Sequence, residues 1–256
     1  MRSFRPRSED AALWIGVSPK SPQIPHQSLK LISMMNLDSH LDALKRYYAG
    51  NADEYEQIYY RDHTLRQKEL DELAVTLRGL CKGRRVLEVA CGTGYWTRIA
   101  ADVAARIVAT DVAEEMLALA RQKNLPRDKV ELVKADAFAL DNITGDFDAG
   151  MACFWFSHVP RSRTAVFLGD FHDKLGKGAV VFMIDNMYAR GYGGELVRRP
   201  GAADTFKRRT LSDGSNHEIL KNYYDADELR AEFSPFASNL VIHTARFYWW
   251  LSYSVT

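Results

Sequence analysis

The chain has 256 residues, 46% of them hydrophobic, enough to bury the core of one large α/β domain. Its 34 lysines and arginines almost cancel its 33 aspartates and glutamates, so the field that gathers nucleic acid or an anionic membrane is absent at whole-chain level. Cys81, Cys91 and Cys153 lack metal-ligand spacing and are odd in number, which argues against a zinc site or a disulfide framework and for a reducing cytoplasm; no run approaches the roughly 20 apolar residues of a spanning helix.

Residues 18–28 carry three prolines and several serines, and Met34-Met35 stands just before the first helical pattern. Residues 1–35 therefore read as a disordered tail ahead of a domain over 36–256. The short apolar run 11–17 follows Glu9 and Asp10, a poor setting for a targeting segment. Residues 37–60 read as two short helices broken at Gly50-Asn51, and a longer helix spans 65–80, where Leu70, Leu73, Leu77 and Leu80 recur at helical steps.

From 85 onward, short β-branched runs at 85–89, 106–110, 129–133, 147–153 and 179–184 alternate with helical patterns at 95–104, 114–123 and 161–175. Such alternation predicts a parallel sheet with right-handed crossovers. Residues 186–224 break the pattern: they are rich in Gly and Arg, and Ser212-Asp213-Gly214-Ser215 joins two strand-like runs, which predicts a lid-like insertion with a β-hairpin. A helix over 225–233 and antiparallel strands within 241–253 complete the chain.

The sharpest signal is Val86-Leu87-Glu88-Val89-Ala90-Cys91-Gly92-Thr93-Gly94, a buried strand entering a glycine turn that opens a helix. Glycine at 92 and 94 removes the Cβ atoms that would keep a ligand away from the backbone. Nineteen residues past Gly92, Asp111 ends the second strand, where a carboxylate can accept both hydroxyls of a ribose. A dinucleotide fingerprint would want glycine at Thr97 and no acid at Glu88, so a nicotinamide-dependent reductase is disfavoured.

This run resembles motif I of the class I S-adenosylmethionine-dependent methyltransferases, marked by an acidic residue shortly before a Gly-x-Gly turn. The resemblance implies a Rossmann-like, mostly parallel seven-stranded sheet with helices on both faces, N-terminal capping helices and an insertion after strand five. It also implies roles for residues along the chain. Glu88, Ala90, Gly92 and Gly94 would form the cofactor turn, with Asp111 and Val112 on the ribose side and Met116 packing on the adenine. Asp136 and Ala137 would read the adenine edge, Cys153 would border the methionine moiety, and Tyr48 and Tyr55 would reach that end from the capping helices.

Methyl transfer is an in-line displacement that chiefly requires the nucleophile to be held against the methyl carbon. His158, just past strand four, is the candidate base where the acceptor must lose a proton, and Phe154, Trp155 and His158 are candidate walls of the acceptor site. Asp185-Asn186 closes strand five where the similar metal-dependent catechol-type O-methyltransferases place two magnesium ligands, but Cys153 or a neighbouring aromatic stands where their strand-four acid would be, so no metal is expected and a turn after strand five is the simpler role. The basic residues Arg190, Arg198, Arg199, Lys207, Arg208 and Arg209 are either a solvated hairpin face or an attraction for a carboxylate or phosphate on the acceptor.

The reading is thus a methyltransferase acting on the O, N or S nucleophile of a small molecule, working as a monomer or homodimer. Two alternatives stand beside it. A nucleic-acid (RNA) methyltransferase would need a basic stripe, and one modifying exocyclic base amines carries Asn/Asp-Pro-Pro-aromatic where this chain has Cys153-Phe154-Trp155-Phe156. A non-catalytic S-adenosylmethionine-binding subunit would keep the pocket without the chemistry.

Overall fold

In chain order, the elements are α1 (Thr64–Cys81), β1 (Arg85–Val89), α2 (Tyr95–Ala101), β2 (Arg106–Asp111), α3 (Glu114–Gln122), β3 (Val130–Lys134), β4 (Phe147–Cys153), α4 (Thr164–His172), β5 (Leu175–Asn186), β6 (Glu195–Arg198), β7 (Thr205–Thr210), β8 (Asn216–Leu220), α5 (Ala226–Phe233), β9 (Ala237–Thr244) and β10 (Tyr248–Val255). They come from a computed structural model that describes residues 42–44, 46–48, 56 and 63–256. The tail assigned to 1–35, and most of the two helices assigned to 37–60, lie outside the described residues; 42–44 and 46–48 are helical.

Seven strands form one sheet in the order β3-β2-β1-β4-β5-β10-β9. The first five are parallel neighbours, while β10 runs antiparallel to both β5 and β9. Alternation along each strand sends successive side chains to opposite faces, because the strand repeat is two residues. On β5, Val181 and Met183 join a core with Phe167 and Phe171 of α4 and Leu229 and Phe233 of α5. Phe182 and Ile184 join the opposite core with Leu70, Leu73 and Leu77 of α1, Trp96 of α2 and Leu117 of α3. Two covered faces explain why the central strands read as continuous apolar runs.

Several boundaries differ from the sequence reading. The helix assigned to 95–104 stops at Ala101, and that assigned to 161–175 splits into a 3-10 turn (Arg161–Arg163) followed by α4. Strand β5 starts at Leu175 rather than at 179 and runs through Gly176–Gly178, because Phe147 of β4 pairs with Leu175 across a register shift. The aromatic terminus divides at 245–247, where the Ala245 amide donates to the Tyr248 carbonyl in a tight turn. The insertion holds a separate three-stranded antiparallel sheet, β6-β7-β8, rather than a hairpin alone; β6 was missed because Glu195–Arg198 sits among glycines and arginines. Among the described residues, no helix is long and apolar enough to cross a membrane.

Candidate functional site

Everything around the glycine turn follows from how β1 ends. The strand is buried from Val86 to Val89, and the chain then leaves the sheet through three left-handed residues in five: Ala90 (φ 53°), Gly92 (φ 56°) and Gly94 (φ 76°). The Cys91 amide stays anchored to the Thr110 carbonyl of β2 (2.8 Å), so the turn curls over the end of the sheet. A left-handed alanine is strained in a way glycine is not. Phe154, at the end of β4, has the same conformation (φ 60°). The two non-glycine residues held in this region at the carboxyl ends of adjacent strands both line one cleft.

That cleft opens to solvent, with about 700 Å³ of space between its walls and its mouth. Ala90, Gly92, Asp111, Val112, Met116, Asp136, Ala137, Cys153, Phe154, Trp155, His158 and Tyr48 all contribute to its lining. The structure therefore gathers residues that are up to 110 positions apart in sequence. Tyr55 lies outside the described residues.

Two expected residues are not in the lining. Gly94 faces away from the cleft: a Cβ there would meet the Ala120 Cβ of α3 at 3.1 Å, so this glycine lets α3 close on the turn. Glu88, 1% exposed, lies beneath the turn and accepts from the Thr97 hydroxyl at 2.6 Å. Burial pushes its carboxyl up to about 8 despite that hydrogen bond, with the nearby Asp111 charge adding to the rise. A neutral Glu88 bridging β1 and α2 explains why threonine serves at 97, where a dinucleotide turn has glycine.

Asp111 is 8% exposed and fastens two loops. Its Oδ2 accepts from the Gly92 amide (2.8 Å) and its Oδ1 from the Ala113 amide (2.9 Å). Burial pushes its carboxyl up, and the amides of Ala113, Gly92 and Val112 oppose the shift. A carboxylate has about four acceptor positions, so these amides do not fill it and a hydroxyl entering the cleft can still be accepted. Asp136 is turned by the Phe138 amide onto its Oδ1 (3.0 Å), and Met116 is buried in the wall. Two acids at the ends of adjacent strands, in a cleft also lined by Met116 and Ala137, suit the hydroxyls and the base edge of a nucleoside.

At the other end, Trp155 lies against Phe138, and its indole Nε1 is buried without a hydrogen-bond partner among the described residues. Phe156 is fully buried in the core against Phe233 and Tyr224, so of this aromatic run only Phe154 and Trp155 reach the cleft. His158 is 2% exposed. Its Nδ1 contacts the Leu220 carbonyl (2.7 Å), which can only accept, so Nδ1 carries the proton and Nε2 accepts from the Tyr48 hydroxyl (2.8 Å). Burial, with the positive charge of Lys221, brings its pKa down to about 3. The ring is therefore neutral at ordinary pH.

Asp185 has a larger role than a turn. It is fully buried and pairs with Lys221 at 2.9 Å, while accepting the Ser157 amide at 2.9 Å; Lys221 also donates to the Ser157 hydroxyl at 2.7 Å. Lys221 and Ser157 hold the Asp185 carboxyl below its ordinary range against the opposing effect of burial. This knot ties the end of β5, the turn that carries His158 and the exit of the insertion together. Nothing in the sequence near Asp185 announces Lys221, 36 residues away.

A seven-stranded sheet in this strand order, with β10 reversed and a cleft over the carboxyl ends of β1, β2 and β4, defines the fold of the class I methyltransferases. Residues 86–178 match the family described as "Methyltransferase domain". The matched stretch runs from β1 into β5. A demethylmenaquinone methyltransferase of Clavibacter sepedonicus is 35% identical over 115 residues, which is 43% of this chain and 47% of that protein. The chain thus spans about half the length of the curated relatives it matches. DhpI, solved as a complex with SAH, superposes with a TM-score of 0.66 at 27% identity, over 84% of this chain and 97% of that one. CalS10, an amino pentose methyltransferase from Micromonospora echinaspora solved with bound SAM, shares the fold at a TM-score of 0.56 and 22% identity, over 78% and 96% of the two chains.

Proposed function

We propose that the chain binds S-adenosylmethionine in the cleft over β1, β2 and β4 and transfers its methyl group to an oxygen, nitrogen or sulfur nucleophile of a small molecule. The observation that carries this reading is that Asp111 and Asp136, acceptors at the ends of adjacent strands, share one cleft with Met116 and Ala137, a layout that fits one nucleoside. The sulfonium supplies an activated methyl group, so the protein's work is placement and exclusion of water. Phe154 and Trp155 wall the reacting end. In this reading the domain runs over 36–256, the insertion covers the acceptor side, and the enzyme is a cytoplasmic monomer or homodimer acting without a metal or nucleic acid.

His158 is assigned as proton acceptor through Tyr48, whose hydroxyl already donates to its Nε2. Its lone pair is available over the whole working pH range, because the ring does not protonate until about pH 3. A base with so low a pKa contributes only as the proton leaves together with methyl transfer. With glutamine at 158, cofactor affinity should hold and turnover fall by about a hundredfold; unchanged turnover removes His158 from the mechanism.

The cofactor assignment is tested by calorimetric titration with S-adenosylmethionine, S-adenosylhomocysteine and NADH. Micromolar affinity for the two sulfur compounds, lost by at least about a hundredfold in Asp111→Ala, is expected because two charge-assisted hydrogen bonds would go. Binding of NADH alone would overturn the reading.

A further inference from the structure

Four basic residues of the insertion fall into two pairs. Arg199 and Arg208 lie on the outer face, where Arg199 pairs with Glu218 and Arg208 with both Glu195 and Glu218. Lys207 and Arg209, on the same strand β7, turn inward. Lys207 is 1% exposed, and its ammonium is held by the carbonyls of Tyr192 (3.1 Å) and Gly194 (2.8 Å), with no carboxylate among the described residues. Arg209 donates from Nη1 to the Tyr47 hydroxyl at 2.9 Å, and its buried Nε has no partner among the described residues.

Arg209 reaches into a second cavity, between the end of β5 and the insertion, that also takes Arg66, Asn186, Tyr192, Tyr223 and Phe247 into its lining. Arg66 enters from α1 and donates its Nε to the Tyr248 hydroxyl at 2.6 Å, again without a carboxylate among the described residues. Two acids of the neighbouring elements already have partners among the described residues. Asp185 is neutralised by Lys221, and the two oxygens of Glu69 accept the amides of Arg246 and Phe247 at 3.0 Å each. Arg66 and Arg209 therefore line one cavity, and neither guanidinium is paired with a carboxylate among the described residues. Leaving guanidiniums half-desolvated without an anion is costly, and their forked donors match an oxyanion.

This cavity abuts the cofactor cleft. Tyr248, which holds Arg66, packs edge-on against Phe154 at 5.5 Å between ring centroids, and Phe154 lines the cleft. Tyr47, which holds Arg209, touches Tyr48 at 5.2 Å, and Tyr48 lines the cleft too. The charge of Arg209 is close enough to disfavour protonation of His158.

We propose that Arg66 and Arg209 bind an oxyanion group of the methyl acceptor, a carboxylate or a phosphate-like group, so that its nucleophile projects past Phe154 and Tyr48 towards the methyl donor. The proposal rests on the methyltransferase reading for the word acceptor. The presence of an anion site in the cavity is independent of it. Lys207 supports the site by its charge while its protons stay on the two carbonyls.

The test loads the full-length protein with S-adenosylhomocysteine and titrates it with inorganic phosphate, following heat and intrinsic fluorescence. Saturable binding is expected, weakened about tenfold or more by Arg209→Met and by Arg66→Met, partly restored in Arg209→Lys, and unaffected by Arg208→Met on the outer face. Absence of saturable binding, or equal weakening by Arg208→Met, overturns the proposal. S-adenosylhomocysteine affinity is measured on each sample; if it is absent while phosphate still binds through Arg209, the cofactor reading fails and the anion site stands. In turnover assays, matched acceptors with free and esterified acid groups should differ in KM by about tenfold or more, a gap that closes in Arg209→Met. Phosphate that binds yet never competes with any acceptor would mark a free-anion site and overturn the acceptor assignment.

Discussion

The end of the cleft proposed for the cofactor and the end proposed for the acceptor are built in different ways. The cofactor end is local: the glycine turn, Asp111 and Asp136 each sit at the end of a strand, and their hydrogen bonds go to backbone amides within a few residues or on the adjacent loop. The acceptor end is assembled from a distance. His158 rests on Leu220, Asp185 on Lys221, Arg209 on Tyr47 and Arg66 on Tyr248, pairs separated by 36 to 182 positions. One sheet can therefore keep a constant nucleoside site while the covering elements exchange charges and pockets above it.

If the acceptor end depends on long-range pairs, breaking one should be felt most. Lys221→Met leaves Asp185 as an uncompensated buried charge and should cost about 3–5 kcal/mol of stability, with much of the loss recovered in the Lys221→Met, Asp185→Asn double variant. Chemical denaturation of the single and double variants checks this; additive losses would show that the pair is not coupled. At the cofactor end, Gly94→Ala should cost roughly 1–3 kcal/mol, because it puts a Cβ on a left-handed residue and within 3.1 Å of Ala120. A variant as stable as the parent would mean the turn relaxes freely.

The two ends should also respond to pH with opposite sign. Glu88 takes up a proton more readily folded, at about 8, than at its ordinary 4.5. Its contribution to stability is complete below about 4.5 and is lost as pH rises through 8, so Glu88→Gln should flatten the alkaline side of a thermal-stability profile. His158 behaves in reverse. Its folded value of about 3 lies below its ordinary 6.5, so the unfolded chain binds the proton first and stability falls as pH drops from 6.5 towards 3. His158→Gln should flatten the acid side instead. The smallest effect belongs to the outer face of the insertion, where Arg208→Met should change stability by no more than about 0.5 kcal/mol, since exposed ion pairs contribute little.

Much of the architecture was legible in the sequence. The five parallel strands could be placed because both faces of the sheet are covered, which makes β1 and β4 continuous apolar runs between helical repeats. Boundaries failed where pairing overruled local chemistry, as at Gly176–Gly178, which β5 absorbs because β4 offers it partners. Strand β6 carries no period of its own and exists because β7 lies beside it. Glu88 and Gly94 were recognisable as part of the turn, but whether a residue faces the ligand or braces the turn depends on what packs behind it.

What the sequence determined by itself is therefore everything that rests on short-range constraint: the parallel sheet, the left-handed glycine turn, and the two aspartates at strand ends. Only the tertiary structure decided that His158 is a buried, neutral acceptor for Tyr48, that Asp185 belongs to Lys221, and that of the basic insertion residues Lys207 and Arg209 face inward while Arg199 and Arg208 face solvent. The physical reason is that an ionisable side chain takes its character from the burial and charges around it, and here those neighbours come from distant parts of the chain.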